Sequence, residues 1–381
     1  MLERTELPIL EKPITNKAET SFTLSREYYT DPNVYELEKK KIFYRTWQYV
    51  AHKSVLANVG DYVTVKICDQ NVFVIRSGDG ELRAFYNVCK HRAHELLEGQ
   101  GNVSSVIVCP YHAWTFEIDG KLRGAPKSSS RPGFDKNDYC LSSIRLEMFC
   151  DCVFVNLDPE AESLASIAGD LERDIRSRVP YLSELAVHDG GALAGDTDSN
   201  PVQKAGWKVV VDNYVECYHC NHAHPAFADL ICMPDYEVDV FDYWSRQIGA
   251  EIRKENSAYL VKDEDPVQNS GFWYLWPNTT FNVLPGQKEV TVLAARPLSP
   301  DTTSFEGHFL SLANAKEDDL RSGYITDVLV PEDLSLVESV QRGLHSLGYS
   351  QGPIIADPEG SGTAEHGIHH FHRLVHQALS R

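Results

Sequence analysis

The chain has 381 residues and a formal net charge of -19 at pH 7, from 36 Lys and Arg against 55 Asp and Glu, with 42% hydrophobic residues. A length of that order fits roughly two domains with real cores, and the acidic balance argues against a nucleic-acid partner, since phosphate binding needs a surplus of Lys and Arg. It suits a neutral or cationic ligand instead.

No run approaches the ~20 apolar residues of a membrane span, and charges interrupt the opening "MLERTELPILEKPITNKAE" before a signal-peptide core could form. A soluble, cytoplasmic protein without a membrane partner is expected. In such a reducing setting the nine cysteines are expected as packed thiols or metal ligands, not disulfides.

The first predicted element is a helix. Asp31 and Pro32 form a start signal, and Val34, Leu37, Ile42, Phe43 and Trp47 follow on a roughly helical spacing. Residues 1–47 are read as a helical segment packing on the later, catalytic domain. From Asp61 the period changes to two: "DYVTVKICDQNVFVIRS" and "ELRAFYNV" alternate around the turn signal "GDG" at 78–80, and "AWTFEIDGKLRG" repeats the device at Asp119-Gly120. With "IRLEMFCDCVFVNLDP" as a further strand pair, residues 48–158 read as a compact antiparallel β domain.

After Pro159 the pattern turns helical, then passes through a His- and Cys-rich segment to strands such as "FWYLWPNTTFNVLPG", and ends helical. Residues 159–381 are read as a second domain with a curved antiparallel sheet and flanking helices. Runs of strands followed by runs of helices make the fold class α+β, not alternating βαβ.

Two clusters of metal-ligand residues stand out. In the β domain, Cys89 and His91 form C-x-H, and Cys109 and His112 form C-x-x-H, both at hairpin tips. Two thiols and two imidazoles can hold a tetrahedral structural zinc or a [2Fe-2S] cluster. Zinc fingers pair the cysteines first and the histidines second, whereas here each loop donates one of each, which favours the cluster.

The second cluster is "DNYVECYHCNHAH", residues 212–224. A zinc knot lacks a second Cys/His pair nearby, and a thioredoxin-type pair at Cys217 and Cys220 lacks its βαβ context, so these two cysteines are read as packing residues. Non-heme Fe(II) chemistry needs two imidazoles and a carboxylate with open positions for dioxygen and substrate. His219 and His224 are five apart, ~140° on an unbroken helix, so the helix must end between them. Pro225 supplies the reason, because the residue before a proline is biased out of the helical region.

In these motifs the chain resembles the Rieske non-heme iron oxygenases, over residues ~22 to 381. The resemblance implies Cys89 and Cys109 on one iron of the cluster and His91 and His112 on the other. It also implies Asp333, in "PEDLSLVESVQRGL", as the carboxylate ligand beside His219 and His224, and Glu216 as the bridge for electrons from a cluster histidine to His219. Without the resemblance, Glu332 and Asp333 are acidic residues favoured by the dipole of a first helical turn. Ring-hydroxylating dioxygenases usually carry Asp at the position of Glu216. Glu within "DNYVECYHC" is similar to the branch acting on quaternary ammonium compounds, which includes carnitine, betaine and stachydrine oxygenases.

What that implies is a terminal oxygenase that uses dioxygen and external electrons to hydroxylate a carbon next to a quaternary nitrogen. C–N cleavage follows, from carnitine to trimethylamine and malic semialdehyde, or from a betaine by loss of one methyl. It further implies a homotrimer and a separate NAD(P)H-dependent reductase carrying flavin and a ferredoxin-type cluster. A trimethylammonium head is held by aromatic faces, and Tyr214 and Trp276 are named as candidates for that cage. The C-terminal histidines 369, 370, 372 and 376 are read as a polar helix face. An aromatic-ring dioxygenase or O-demethylase, a non-catalytic Rieske electron carrier and a zinc-binding structural protein remain as alternatives.

Overall fold

In the computed structural model, residues 7–193, 202–315 and 321–381 are described; residues 1–6 of the N-terminal stretch lie outside them. The helices are α1 (Arg26–Thr30), α2 (Pro32–Glu38), α3 (Leu164–Ala168), α4 (Leu171–Arg178), α5 (Trp207–Tyr214), α6 (Cys220–Ala223), α7 (Pro225–Leu230), α8 (Ser322–Tyr324), α9 (Val330–Leu344) and α10 (His366–Ser380). The chain forms two compact units, Phe43–Ala165 and the remainder, Met1–Ile42 with Ser166–Arg381. No helix among the described residues is long and apolar enough to cross a membrane.

The first unit is antiparallel β. Its larger sheet has seven strands, β1 (Gln48–His52), β2 (Asp61–Ile67), β3 (Gln70–Arg76), β4 (Leu82–Tyr86), β5 (Gln100–Asn102), β9 (Ser143–Phe149) and β10 (Cys152–Asn156), in the order β1-β10-β9-β4-β3-β2-β5. A smaller sheet joins β6 (Val106–Val108), β7 (Thr115–Glu117) and β8 (Leu122–Gly124). The β3–β4 and β7–β8 hairpins turn at the Gly-containing loops expected from the alternation, with Gly80 and Gly120 at φ 87° and 90°. One hydrophobic cluster of Phe73, Phe85, Ile107 and Phe116 also takes in Cys89 and Cys109, which places both sulfurs in the core between the two sheets.

The second unit holds a seven-stranded antiparallel sheet, β11 (Ala186–Leu193), β12 (Tyr236–Val240), β13 (Trp244–Gly249), β14 (Ser270–Leu275), β15 (Thr279–Val283), β16 (Glu289–Ser299) and β17 (Thr302–Ser311), ordered β11-β17-β16-β15-β14-β13-β12. β15 is buried at every residue, so both faces are covered. On one face Trp273 Nε1 donates to Asp174 of α4 at 2.7 Å. On the other, Trp207 of α5 and Phe371 of α10 pack edge to face at 5.5 Å; a buried aromatic of that size contributes about 2–3 kcal/mol by area alone.

Asp31 caps α2 by accepting from Asn33 N, with Pro32 at the first turn, and a π-helical turn at Lys39–Phe43 continues it. At the end of α2 the buried Glu38 pairs with Lys208 and accepts from Trp207 Nε1 at 2.9 Å, which fixes α5. The same N-terminal end of α5 is tied to α9 by Gln341, whose Oε1 accepts from the N-cap Gly206 N at 2.8 Å. The two helices that bracket the His-rich segment are therefore held in one frame. α10 is not a solvated polar face: His369 and His372 are buried, and His372 Nε2 lies 2.9 Å from both Asp212 Oδ1 and Tyr29 Oη. The periodicity of its histidines misled because α10 packs against α5 and β12, which its own sequence does not reveal.

Candidate metal centres and substrate cavity

The two Cys/His loops of the first unit are built alike. In one, Cys89 O accepts from Ala93 N and Cys89 N donates to His94 O; in the other, Cys109 O accepts from Ala113 N and Cys109 N donates to Trp114 O. Ala93 and Ala113 both adopt positive φ, 55° and 56°, closing each loop in a left-handed turn. The cysteines are 2% exposed, while His91 and His112 are outward and meet edge to face at 4.6 Å, with His91 stacked on Trp114 at 5.0 Å. Burial, with Cys109 adjacent, raises the Cys89 pKa. Loss of water and the neighbouring His91 and Arg92 lower that of His112. Two sulfurs inside and two imidazoles outside, gathered by matched loops, fit a [2Fe-2S] cluster ligated two by two. His94 lies apart, its Nδ1 against Glu95 O.

In the second unit α6 ends at His224, whose φ of -121° and ψ of 64° leave the helical region ahead of Pro225. This break lets its ring turn back. His219 Nε2 and His224 Nε2 come to 3.2 Å, and Asp333 Oδ1, from the first turn of α9, lies 2.9 Å from His224 Nε2 and 3.7 Å from His219 Nε2. These donor atoms are all within 4.8 Å of one another, separations that one ion with bonds of about 2 Å can span. The set of two imidazoles and one carboxylate suits non-heme Fe(II).

Each imidazole is also braced on its far side. His219 Nδ1 meets Glu216 Oε1, and His224 Nδ1 lies 2.7 Å from Glu332 Oε2. An ionised carboxylate only accepts, so each Nδ1 carries the proton and each Nε2 keeps its lone pair for a metal. Glu216, 9% exposed, is itself fixed by the N–H groups of Tyr218 and His219 on Oε2. Burial works against charging His224, but hydrogen bonds and charge from Asp333 and then Glu332 outweigh it and raise its pKa. Glu332 was legible in the sequence only as a dipole-favoured acid; its pairing with His224 spans 108 residues and leaves no local signal.

Cys217 and Cys220, expected as packing thiols, are joined in a disulfide across the turn that carries His219. The correction has a geometric cause: this C-x-x-C turn sets the two Cα atoms 4.9 Å apart, inside the disulfide range. His222 is exposed and is not one of the three residues whose donor atoms converge.

A cavity opens at the triad, lined by Tyr214, Phe227, Tyr236, Phe272, Phe305 and aliphatic side chains including Leu329 and Val337. Phe227 and Phe272 meet edge to face at 5.8 Å. Glu216 and Asp333 are the charged carboxylates of the wall, and no Lys or Arg lines it among the described residues. Tyr214 is in the wall, but its hydroxyl donates to Asn282 Oδ1 at 2.7 Å, and burial raises its pKa well above the usual phenol range. Trp276, the other residue named for the cage, is not in the wall: it packs between Trp207 and Phe371, at 6.3 and 6.1 Å, under α5 and α10. Phe272, in the same aromatic stretch, takes a place in the cavity.

Residues 46–143 match the family model of the Rieske [2Fe-2S] domain, and residues 191–381 match that of the ring hydroxylating alpha subunit (catalytic domain). The carnitine monooxygenase oxygenase subunit of Escherichia coli strain K12 is 40% identical, over 97% of each chain. The chloroplastic choline monooxygenase of Amaranthus tricolor is 30% identical, over 95% of this chain and 79% of its own. A quaternary ammonium Rieske monooxygenase crystallised with L-carnitine superposes with a TM-score of 0.85 at 36% identity, over 97% of this chain and 99% of that one.

Proposed function

The chain belongs to the Rieske non-heme iron oxygenases, and from that premise we propose that it hydroxylates a carbon attached to the quaternary nitrogen of a carnitine-like or betaine-like substrate. It is a Rieske-type monooxygenase, so each turnover consumes dioxygen, two electrons and two protons and yields a carbinol and water. The carbinol carries its hydroxyl on the carbon that bears the ammonium; it collapses to an aldehyde, a tertiary amine and a proton. Carnitine gives trimethylamine and malic semialdehyde, and a betaine loses one methyl as formaldehyde.

In this reading Cys89, Cys109, His91 and His112 hold the cluster, and His219, His224 and Asp333 hold the mononuclear iron. When bound, these groups supply single electrons and the activation of dioxygen. The protein's own part is positional. Glu216 holds the Nδ1 proton of His219 and lies on the route for electrons toward it. Glu332 does the same for His224. Aromatic faces of Phe227, Phe272 and Tyr236 receive the trimethylammonium head, which has no N–H to donate, and the apolar wall keeps bulk water from the reacting carbon. As part of the same proposal, electrons come from a separate reductase with flavin and a ferredoxin-type cluster, the assembly is a homotrimer, and the setting is cytoplasmic; relatives named as oxygenase subunits support a multicomponent system.

The observation that carries this reading is the convergence of His219, His224 and Asp333 on one point at the edge of an aromatic cavity that lacks a basic side chain among the described residues. The test is anaerobic purification, a visible spectrum with iron, sulfide and zinc content, then turnover on carnitine, γ-butyrobetaine, glycine betaine, stachydrine and toluene. A red-brown Rieske spectrum with trimethylamine or formaldehyde release is expected. A colourless zinc protein, or turnover of toluene alone, would overturn the proposal.

A further inference from the structure

Polar groups in the cavity wall fall into two sets. Tyr214, Gln247 and Asn282 satisfy one another and the backbone: Tyr214 Oη donates to Asn282 Oδ1 at 2.7 Å, Gln247 Nε2 to Tyr214 O at 2.7 Å, and Asn282 Nδ2 to Thr291 O at 3.2 Å. Asn278 is different. It is 1% exposed, its Nδ2 donates to Ala295 O at 2.8 Å, and its Oδ1 has no hydrogen-bond partner among the described residues. The Ala295 contact fixes the orientation of the amide, because a carbonyl oxygen cannot donate in return. A buried acceptor left unmet is uncommon and calls for a reason.

Gln203 stands close by. It is 3% exposed and uses its backbone N and O on Thr303 of β17 at 2.9 and 3.0 Å, while its side-chain amide makes no hydrogen bond among the described residues. Thr303 is two residues from Phe305, whose register partner is the same Ala295 that Asn278 binds. Both amides thus belong to one end of the cavity. The triad lies at the other: Phe272 pairs in register with Asn282 and touches Phe227, which follows His224. Asn278 precedes Asn282 by four residues, about 13 Å of extended chain.

We propose that Asn278 is the specificity-determining residue that reads a hydroxyl on the substrate chain, its Oδ1 accepting the substrate O–H, with Gln203 Nε2 donating to the substrate's terminal carboxylate. The assignment rests on the quaternary ammonium reading above and deepens it: the ammonium head sits at the aromatic, triad end, and the polar tail reaches the amide end. With no Lys or Arg in the described wall, neutral donors receive the carboxylate. Substrates of the hydroxylated class are therefore preferred to their deoxy analogues.

L-carnitine and γ-butyrobetaine differ by that one hydroxyl. Calorimetric titration of the iron-loaded enzyme under nitrogen gives a Kd for each, without turnover. Wild type is expected to bind L-carnitine roughly ten- to hundredfold tighter, and Asn278→Leu to bring the ratio of the two Kd values near one. Equal binding of the pair by wild type would overturn the assignment with no variant needed, as would an unchanged ratio in an Asn278→Leu protein that keeps its Rieske spectrum. Failure of wild type to bind any quaternary ammonium compound would overturn the function itself, a result distinct from either.

Discussion

Removing Glu332 isolates what an outer carboxylate does for His224. The imidazole is 5% exposed at its side chain, so after Glu332→Ala its Nδ1–H has little water to turn to. A charge-assisted hydrogen bond of this kind is worth about 1.5–3 kcal/mol. Because the Glu332 side chain is 33% exposed, solvent screening places the effect at the low end, about 1.5 kcal/mol, or roughly tenfold in metal affinity. Glu332→Gln keeps an acceptor and loses the charge, so its loss is expected to be a few fold, between wild type and Ala. The measurement is an anaerobic Fe(II) titration against a competing chelator, with Co(II) absorption as a second readout of ligand geometry. The Rieske spectrum serves as an internal control, since its four candidate ligands lie in the other unit. Iron affinity and Co(II) spectrum unchanged in Glu332→Ala would refute the bracing role.

Three further outcomes are expected. Lys208→Met strands the fully buried Glu38 and should lower stability by about 3–5 kcal/mol, whereas Lys208→Met with Glu38→Gln should recover most of it; urea unfolding checks both. Burial depresses His52 to a pKa of about 4, so between the unfolded value near 6.5 and 4 the unfolded chain binds more protons than the folded one. Stability should then fall by about 2 kcal/mol from pH 7 to pH 5, and His52→Leu should flatten that slope in denaturant titrations across the range; an unchanged slope would show that His52 is not its source. Opening the Cys217–Cys220 disulfide with a reductant, or replacing both residues by Ala, should lower stability by about 2 kcal/mol for so short a loop, read as a lower midpoint on heating the metal-free protein.

Local features of the sequence were the most legible. Each Cys/His loop keeps its donors within a few residues, so spacing alone gathered them, and the proline after His224 announced the break in the helix. Asp333 came from family resemblance because 109 residues separate it from His224, and the pairing of Glu332 with His224 was missed for the same reason. Trp276 sits in the turn just after β14, where strand alternation no longer gives its face; α5 and α10 cover it, and they lie far away in sequence. The histidines of α10 posed the same problem in reverse. Their polar stripe looked solvated until α5 supplied Asp212 and α1 supplied Tyr29.

The C-terminal segment acts as a mould for the catalytic wall. A methyl group on Gly367 would meet Val215 O at 1.9 Å, and one on Gly362 would meet Tyr236 O at 1.6 Å. Val215 immediately precedes Glu216, and Tyr236 is in the cavity wall. The backbone behind the active site is thus cast against two positions where no side chain fits. Anyone reshaping substrate scope can vary Phe227, Phe272 and Asn278 from inside the cavity, but these two glycines set an outer template that a mutational library should leave untouched.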